Sequence, residues 1–371
     1  MISIPLVDLS LQHAVVGEEV LDGFREVLEA GDFIGGKAVT AFEQEYAHFT
    51  GARCCVGVGN GTDALEMALR AVGVGHGDEV VLPANTFIAT AEAVVRTGAI
   101  PVLVDVDDEA LLIDPARVEE VVTARTRAVL PVDLYGQVAP FEQLPRGLAQ
   151  RGVAVIEDAA QSQGATRHGR SAGTFGTMAA TSFYPGKNLG AYGDAGAVLS
   201  DDEELARAVR LMGAHGSQAK YVHSRIGFNS RLDTLQAVVL RAKLSRLRGW
   251  NEERREAAAR YDDLLADVPE VRLPVTLLGN EHVWHLYVVR VPRRDDVLRF
   301  LQSEGVGAGV HYPVPVHLTP AMHGLGHGPG SFPVSEQAAT EILSLPIYPG
   351  ITGEQQELVV QVLRHALRSV T

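Results

Sequence analysis

The chain has 371 residues, 46% of them hydrophobic, and a formal net charge of −14; that is enough apolar material for a large core in two units. Acidity of this size without clustered Lys or Arg excludes extended binding to nucleic acid or an anionic membrane, so any phosphate ligand must be held locally. No charge-free apolar run reaches about 18 residues, and the start MISIPLVDLS lacks a basic segment followed by an apolar signal core, so a cytoplasmic protein is expected.

Along the chain, the adjacent cysteines Cys54 and Cys55 are read as reduced, because a bridge between neighbours strains the intervening peptide. From about residue 52, short Val/Ile-rich runs alternate with segments of helical period. CCVGVG (54–59), DEVVLPA (78–84), IPVLVDV (100–106), RAVLPVD (127–133) and VAVIEDA (153–159) read as strands. TDALEMALRAVG (62–73), TFIATAEAVVRTG (86–98), PARVEEVVTA (115–124) and FEQLPRGLAQRG (141–152) read as helices between them. This alternation predicts a mostly parallel sheet covered by helices, an α/β fold.

Residues 234–268 read as one long helix, followed by the strand HLYVVRV (285–291), the helix VLRFLQSEG (297–305) and a terminal helix over 357–370. The expected division is a large α/β domain over 1–240, N-terminal segment included, and a small C-terminal α+β domain over 241–371. The Gly-, Pro- and His-rich stretch 309–333 is too broken for regular structure and too long for a plain connector, and is read as a functional loop.

Chemistry concentrates at three places. Asp158 closes the apolar strand VAVIED, where ligands of open α/β sheets gather, and Gln161 follows it. Lys187 stands just after a Pro-Gly turn among small residues in SFYPGKNLGAYGDAGA. In GVGNGTDALEMAL a Gly-rich turn runs into a helix beginning at Gly61, Thr62 and Asp63, so free N–H groups and the helix dipole face an anion. A strand-end Asp alone is as often a loop ligand, and a turn lysine alone is usually solvated. Together they supply what pyridoxal phosphate requires: an amine for its aldehyde, an acid for its ring nitrogen and a phosphate cradle.

The motifs NGTDAL, TFIATAEAV, EDAAQSQGA, SFYPGKNLGAYGDAGA, GFNSRLDTLQA and HYPVPVHLTPA, spread over essentially the whole chain, resemble the sugar aminotransferase family of deoxysugar and antibiotic biosynthesis, the DegT/DnrJ/EryC1/StrS type. That resemblance implies the aspartate-aminotransferase architecture (fold type I), with a mostly parallel seven-stranded sheet, and a homodimer with two active sites at its interface. It makes Lys187 the Schiff-base lysine, Asp158 the partner of the pyridine nitrogen, and Gln161 a neighbour of the ring's phenolic oxygen. It puts Ser182, Gly61 and Thr62 at the phosphate, stacks Phe87 on the ring, and brings Asn229 to the phosphate from the other subunit.

Lysine at 187 favours amino transfer over the related sugar dehydratases, which carry histidine there. Tyr184 before the proline resembles the subgroup that aminates carbon 3 of a dTDP-linked 3-keto-6-deoxyhexose. Ala195 departs from the glycine of many relatives. The implied reaction moves an amino group from an amino acid, L-glutamate, to the keto-sugar, with Lys187 moving the proton in each half. A UDP-linked 3-keto-sugar, a 4-keto-6-deoxyhexose, a cyclitol ketone, or a regulator that has lost turnover are the alternatives.

Tyr184, Tyr221, His223, Tyr312 and His317 are candidates for the sugar, against the plainer reading of local loop hydrogen bonds. His311, His317, His323 and His327 lack an accompanying acid or cysteine at ligand spacing, so no metal is expected. GVGNGT does not fit the dinucleotide pattern GxGxxG, which argues against a nicotinamide oxidoreductase.

Overall fold

The computed structural model describes residues 3–370. Its centre is a seven-stranded sheet made of β1 (Cys54–Val58), β2 (Glu79–Pro83), β3 (Ile100–Val104), β4 (Thr126–Val129), β5 (Ala154–Asp158), β6 (Met178–Ser182) and β7 (Gly196–Ser200). The spatial order is β1-β7-β6-β5-β4-β2-β3. All neighbouring pairs are parallel except those of β7, which runs antiparallel to both β1 and β6. The five strands expected from sequence are present. β6 and β7 are the two that pattern alone did not indicate: MAATS and GAVLS are short and rich in small residues, and become strands by filling the gap between β5 and β1.

Helices α1 (Leu9–Ala30) and α2 (Gly36–Thr50) precede the elements expected from sequence, and α3 (Gly61–Ala71), α4 (Ile88–Thr97), α5 (Pro115–Val121) and α6 (Glu203–Gly213) follow in order. The first buries Gln12, Val16, Val20 and Val27, one side of the helix, and Asp8 caps it by accepting from the Ser10 N–H. One expected helix is absent. Residues 141–152 form only two short 3₁₀ turns, Phe141–Gln143 and Ala149–Arg151, because Pro145 lacks the N–H a helix needs and Gly147 takes a left-handed φ of 82°.

The single long helix expected over 234–268 is two, α7 (Thr234–Leu244) and α8 (Leu247–Leu265). At the break the Ser245 hydroxyl donates to the Ala242 carbonyl (2.8 Å), a local bond that competes with the helical ladder. Beyond α8, β8 (Tyr287–Arg290) and β9 (Ile342–Leu345) pair antiparallel. Around them lie α9 (Arg294–Ser303), α10 (Pro333–Glu341) and α11 (Gly353–Val370). Their apolar cluster includes Tyr261, Tyr287, Leu301 and Leu363, and also Ile4 from the start of the chain. The loop 309–333 carries two 3₁₀ turns and is otherwise irregular, as expected. Among the described residues no helix is long and apolar enough to cross a membrane, and no group of His, Cys, Asp or Glu could hold a metal ion.

Strand β1 is an edge, and its outer N–H groups need partners. Glu43 of α2, nearly buried, accepts from the Gly57 N–H at 2.8 Å and forms a two-pronged pair with Arg210 of α6 at 3.1 and 2.8 Å. One carboxylate thereby joins α2, β1 and α6. Replacing Glu43 with Ala removes charge-assisted bonds and should lower unfolding stability by about 1.5–3 kcal/mol, read as a shift in urea midpoint with an unchanged slope.

Candidate active site

The carboxyl edge of the sheet gathers the site. Asp158 ends β5, and its backbone N–H and C=O extend the pairing with the segment after β4, through Pro131 O and Asp133 N. Its side chain is 3% exposed. Thr90, one turn into α4, donates to one carboxylate oxygen at 2.9 Å, and the Ala160 N–H donates to the other at 3.2 Å. Burial holds this carboxyl above its ordinary range, opposed by those two bonds and by the positive charge of Lys187. A carboxylate in such surroundings is stabilised by a cation beside it.

Lys187 closes a turn whose centre is Pro185-Gly186, with the Lys187 N–H donating to the Tyr184 carbonyl at 2.8 Å. Three residues on, a Cβ at Gly190 would collide with the Pro185 carbonyl, so the loop closes on itself only with glycine there. The Lys187 amine is pushed down to about 8, by desolvation first, against the pull of Asp158. Two imidazoles near it carry no charge. His311 is pushed to about 4 by burial and by Lys187, and donates to or accepts from Ser344 Oγ at 2.8 Å. His285 is held well below its usual value by burial and then by Lys187 and Arg254, and its Nδ1 is without a partner.

Gln161 is oriented by its neighbours: its Oε1 accepts the Tyr135 N–H at 2.7 Å and its Nε2 donates to the Tyr312 hydroxyl at 3.2 Å. The Tyr312 ring lies 5.2 Å from that of Phe87. Phe87 sits at the start of α4, half exposed, so the helix that carries Thr90 to Asp158 also presents this ring.

At the other end, β1 runs through Asn60 into α3. The Asn60 side chain accepts the Asp63 N–H at 2.8 Å, which leaves the first N–H groups of the helix, those of Gly61 and Thr62, without an intrahelical acceptor. A Cβ on Gly61 would stand 2.6 Å from Ser182 Cβ, so glycine is what lets the end of β6 meet the start of α3. Ser182 Oγ accepts the Tyr184 N–H at 3.3 Å. Backbone donors, a dipole end and a serine hydroxyl meet here, the groups an anion cradle needs.

Most of the remaining candidates are exposed. Asn229 is exposed and accepts from Arg231 at 2.8 Å. Tyr221 and His223 stand on an exposed hairpin formed by Ser217–Ala219 and Val222–His223, and Tyr184 is exposed beside the Lys187 turn. His317 is wholly buried, its Nε2 3.0 Å from Glu336 and its ring against Phe332; the structure does not present it to a ligand. Thr90, Tyr135 and His285 join the cluster although their sequence surroundings did not single them out. Only Thr90 carried a signal, a hydroxyl one turn into a helix that starts at a strand's carboxyl edge.

This sheet order, with an amine and a buried acid at its carboxyl edge and an anion cradle beside them, defines the aspartate-aminotransferase class, fold type I. The chain belongs to the DegT/DnrJ/EryC1/StrS aminotransferase family, whose profile matches residues 15–364. It is 44% identical, over 99% of each chain, to a protein named pleiotropic regulatory protein from Geobacillus stearothermophilus. It is also 44% identical to the dTDP-3-amino-3,4,6-trideoxy-alpha-D-glucose transaminase of Streptomyces venezuelae, over 97% of this chain and 95% of that one. Among solved structures, S. venezuelae DesV in complex with a ketimine intermediate superposes with a TM-score of 0.96 at 43% identity, covering 98% of both chains.

The residues present fit pyridoxal phosphate: the cradle suits its phosphate, the desolvated carboxyl its ring nitrogen and the partly neutral amine its aldehyde. Two outcomes follow. In cofactor-free protein, borohydride trapping of an added aldehyde on Lys187, read by peptide mass, should speed up as pH rises through about 8, because only the neutral amine reacts, and should level off above it. Gly61→Ala forces Ser182 away from α3 and should weaken pyridoxal phosphate binding about tenfold, the equivalent of roughly 1.4 kcal/mol within the usual cost of overpacking, measured by absorbance titration.

Proposed function

We propose that this aminotransferase carries an amino group from L-glutamate to carbon 3 of a dTDP-linked 3-keto-6-deoxyhexose, with pyridoxal phosphate bound over β5 and β6. The observation that carries the reading is the desolvated pair, Asp158 and Lys187, set beside an anion cradle at one end of the sheet. Tyr184 before the turn proline and the dTDP-sugar transaminase among the relatives support the substrate.

In this reading Gly61, Thr62 and Ser182 hold the phosphate, Phe87 stacks on the ring, and Gln161 meets the phenolic oxygen. Asp158 keeps a proton on the ring nitrogen, the cation its buried carboxylate favours. When bound, the cofactor draws electrons from the carbon that carries the nitrogen. With the cofactor held there, Lys187 would do the proton work: its neutral amine would take the proton from Cα of the donor in the first half and, as the ammonium, would give one to carbon 3 of the sugar in the second. The lowered affinity of this amine for protons keeps a useful neutral fraction near neutral pH.

The assembly proposed is a homodimer in which Asn229, exposed on one chain, reaches the phosphate held by the other. Tyr184 and Tyr312 of one chain and Tyr221 and His223 of the exposed hairpin of the other would meet the sugar. The domains proposed are 1–240 and 241–371, a division that falls within α7 (Thr234–Leu244), and the location proposed is the cytoplasm, which suits two unbridged cysteines.

The test is an absorption spectrum of the protein with pyridoxal phosphate. Wild type should show the long-wavelength band of the lysine-bound cofactor, lose it on excess glutamate, and regain it on adding a dTDP-3-keto-6-deoxyhexose. Lys187→Ala should show neither the band nor turnover while folding normally. No band in wild type would sink the cofactor assignment; restoration by a UDP-linked 3-keto-sugar alone would move the substrate to that class.

A further inference from the structure

Next to Lys187 in sequence, Asn188 is 1% exposed and its side chain faces away from solvent. Its Nδ2 donates to the Val283 carbonyl at 2.8 Å and to Asn251 Oδ1 at 2.9 Å. Asn251, one turn into α8 and 2% exposed, in turn donates from Nδ2 to the Gln163 carbonyl at 2.9 Å. The Gln163 side chain donates to Thr181 Oγ1 and to the Ser182 carbonyl, both at 2.9 Å, and to the Ala160 carbonyl at 3.2 Å. Main-chain carbonyls terminate each span, and a carbonyl can only accept, so the direction of both asparagine amides is set by chemistry.

This chain of amides touches the three parts of the site by their backbones. It begins one residue after Lys187 and passes through the segment that follows Asp158, where the Ala160 N–H binds the Asp158 carboxylate. It ends at Ser182, against which Gly61 is packed. Asn251 is the one member that lies outside the sheet and its loops. Its approach to the main chain is tight: Gly164 has a φ of 89°, and a Cβ there would stand 2.6 Å from Asn251 Nδ2. The close contact therefore requires both the left-handed turn and the missing side chain.

We propose that Asn251 is a positioning residue for amino transfer. It sets the Lys187 loop in register with Asp158 and Ser182, and it makes that register depend on where α8 lies. The inference rests on the assignment of Lys187 given above. Buried amides of this kind are costly to leave half satisfied, so loss of Asn251 would leave Asn188 with only its Val283 bond, strip the Gln163 carbonyl of its donor, and let water and slack into the Lys187 loop.

The test compares Asn251→Ala, Asn188→Ala and the double variant with Gln356→Ala. Gln356 is a buried amide that bonds the Ala257 carbonyl of the same helix, away from Lys187. Two quantities are read: the pH dependence of aldehyde trapping on Lys187 in cofactor-free protein, and kcat and KM with cofactor. Asn251→Ala should move the trapping midpoint upward from about 8 towards 10.5. It should cut kcat about 10- to 100-fold, the effect of a misplacement on the order of 1 Å, with KM changing little.

The double variant should lose no more than either single one, and Gln356→Ala should lower stability without moving the trapping midpoint. If Asn251→Ala does not fold, Asn251→Ser reads the same quantities. An unchanged midpoint and kcat in Asn251→Ala overturn the proposal, as does an equal shift in Gln356→Ala. If Lys187→Ala retains turnover, the assignment of Lys187 has failed instead, while the trapping profile still reports whether Asn251 positions this amine.

Discussion

A carboxylate taken out of water at the end of a strand needs something to answer its charge, and the structure around Asp158 is arranged by that need. Two donors, Thr90 Oγ1 and the Ala160 N–H, do not bring the group back to its ordinary acidity, and Lys187 supplies only a charge that burial itself weakens. The remaining demand is for a cation held against the acid, which is what a protonated pyridine ring offers. The alternation of β5 gives the neighbouring Glu157 a different role: its oxygens accept the Gly173 and Phe175 N–H groups, a structural use of a carboxylate one residue from a chemical one.

Desolvation also sets the basicity of the site. Lys187, His285 and His311 are all held below their ordinary values, with burial the largest cause in each, and each of the two imidazoles is further lowered by the lysine. The cluster therefore contains two imidazoles that stay neutral, and an amine of which a fraction is already neutral near neutral pH and able to take up a proton from carbon. A charged histidine in either position would compete for the acid and raise the cost of the protonated lysine.

The anion cradle answers the acidity of the chain. With a net charge of −14, the overall field does not attract a phosphate. In the proposed site the binding would come from the helix start at Gly61, from Ser182 and from backbone N–H groups at close range, where the low dielectric makes them effective. That arrangement holds only because β7, running against its neighbours, lets β6 and β1 end at the same edge.

Much of this is legible in the amino-acid order. Five strands, most of the helices and the irregular loop 309–333 follow from period, turn residues and glycine placement, which are local properties. The same holds for the strand-end Asp158, the turn lysine and the helix start at Gly61, because each has a neighbourhood in sequence that marks it. What local pattern could not carry is whatever depends on non-local filling. MAATS and GAVLS become strands by position in the sheet, 141–152 loses its helix to Pro145 and Gly147, and the long segment breaks at Ser245. Likewise His317 looks like any loop histidine in sequence and is buried against Glu336 in the fold. Asn251 carries no signal at all until α8 comes to rest beside the Lys187 loop. Sequence by itself marked the acid, the amine and the helix start; only the tertiary structure brought Thr90, Tyr135 and His285 to them, withdrew His317, and decided which groups are desolvated and which face one another, because burial and register are properties of the packed whole.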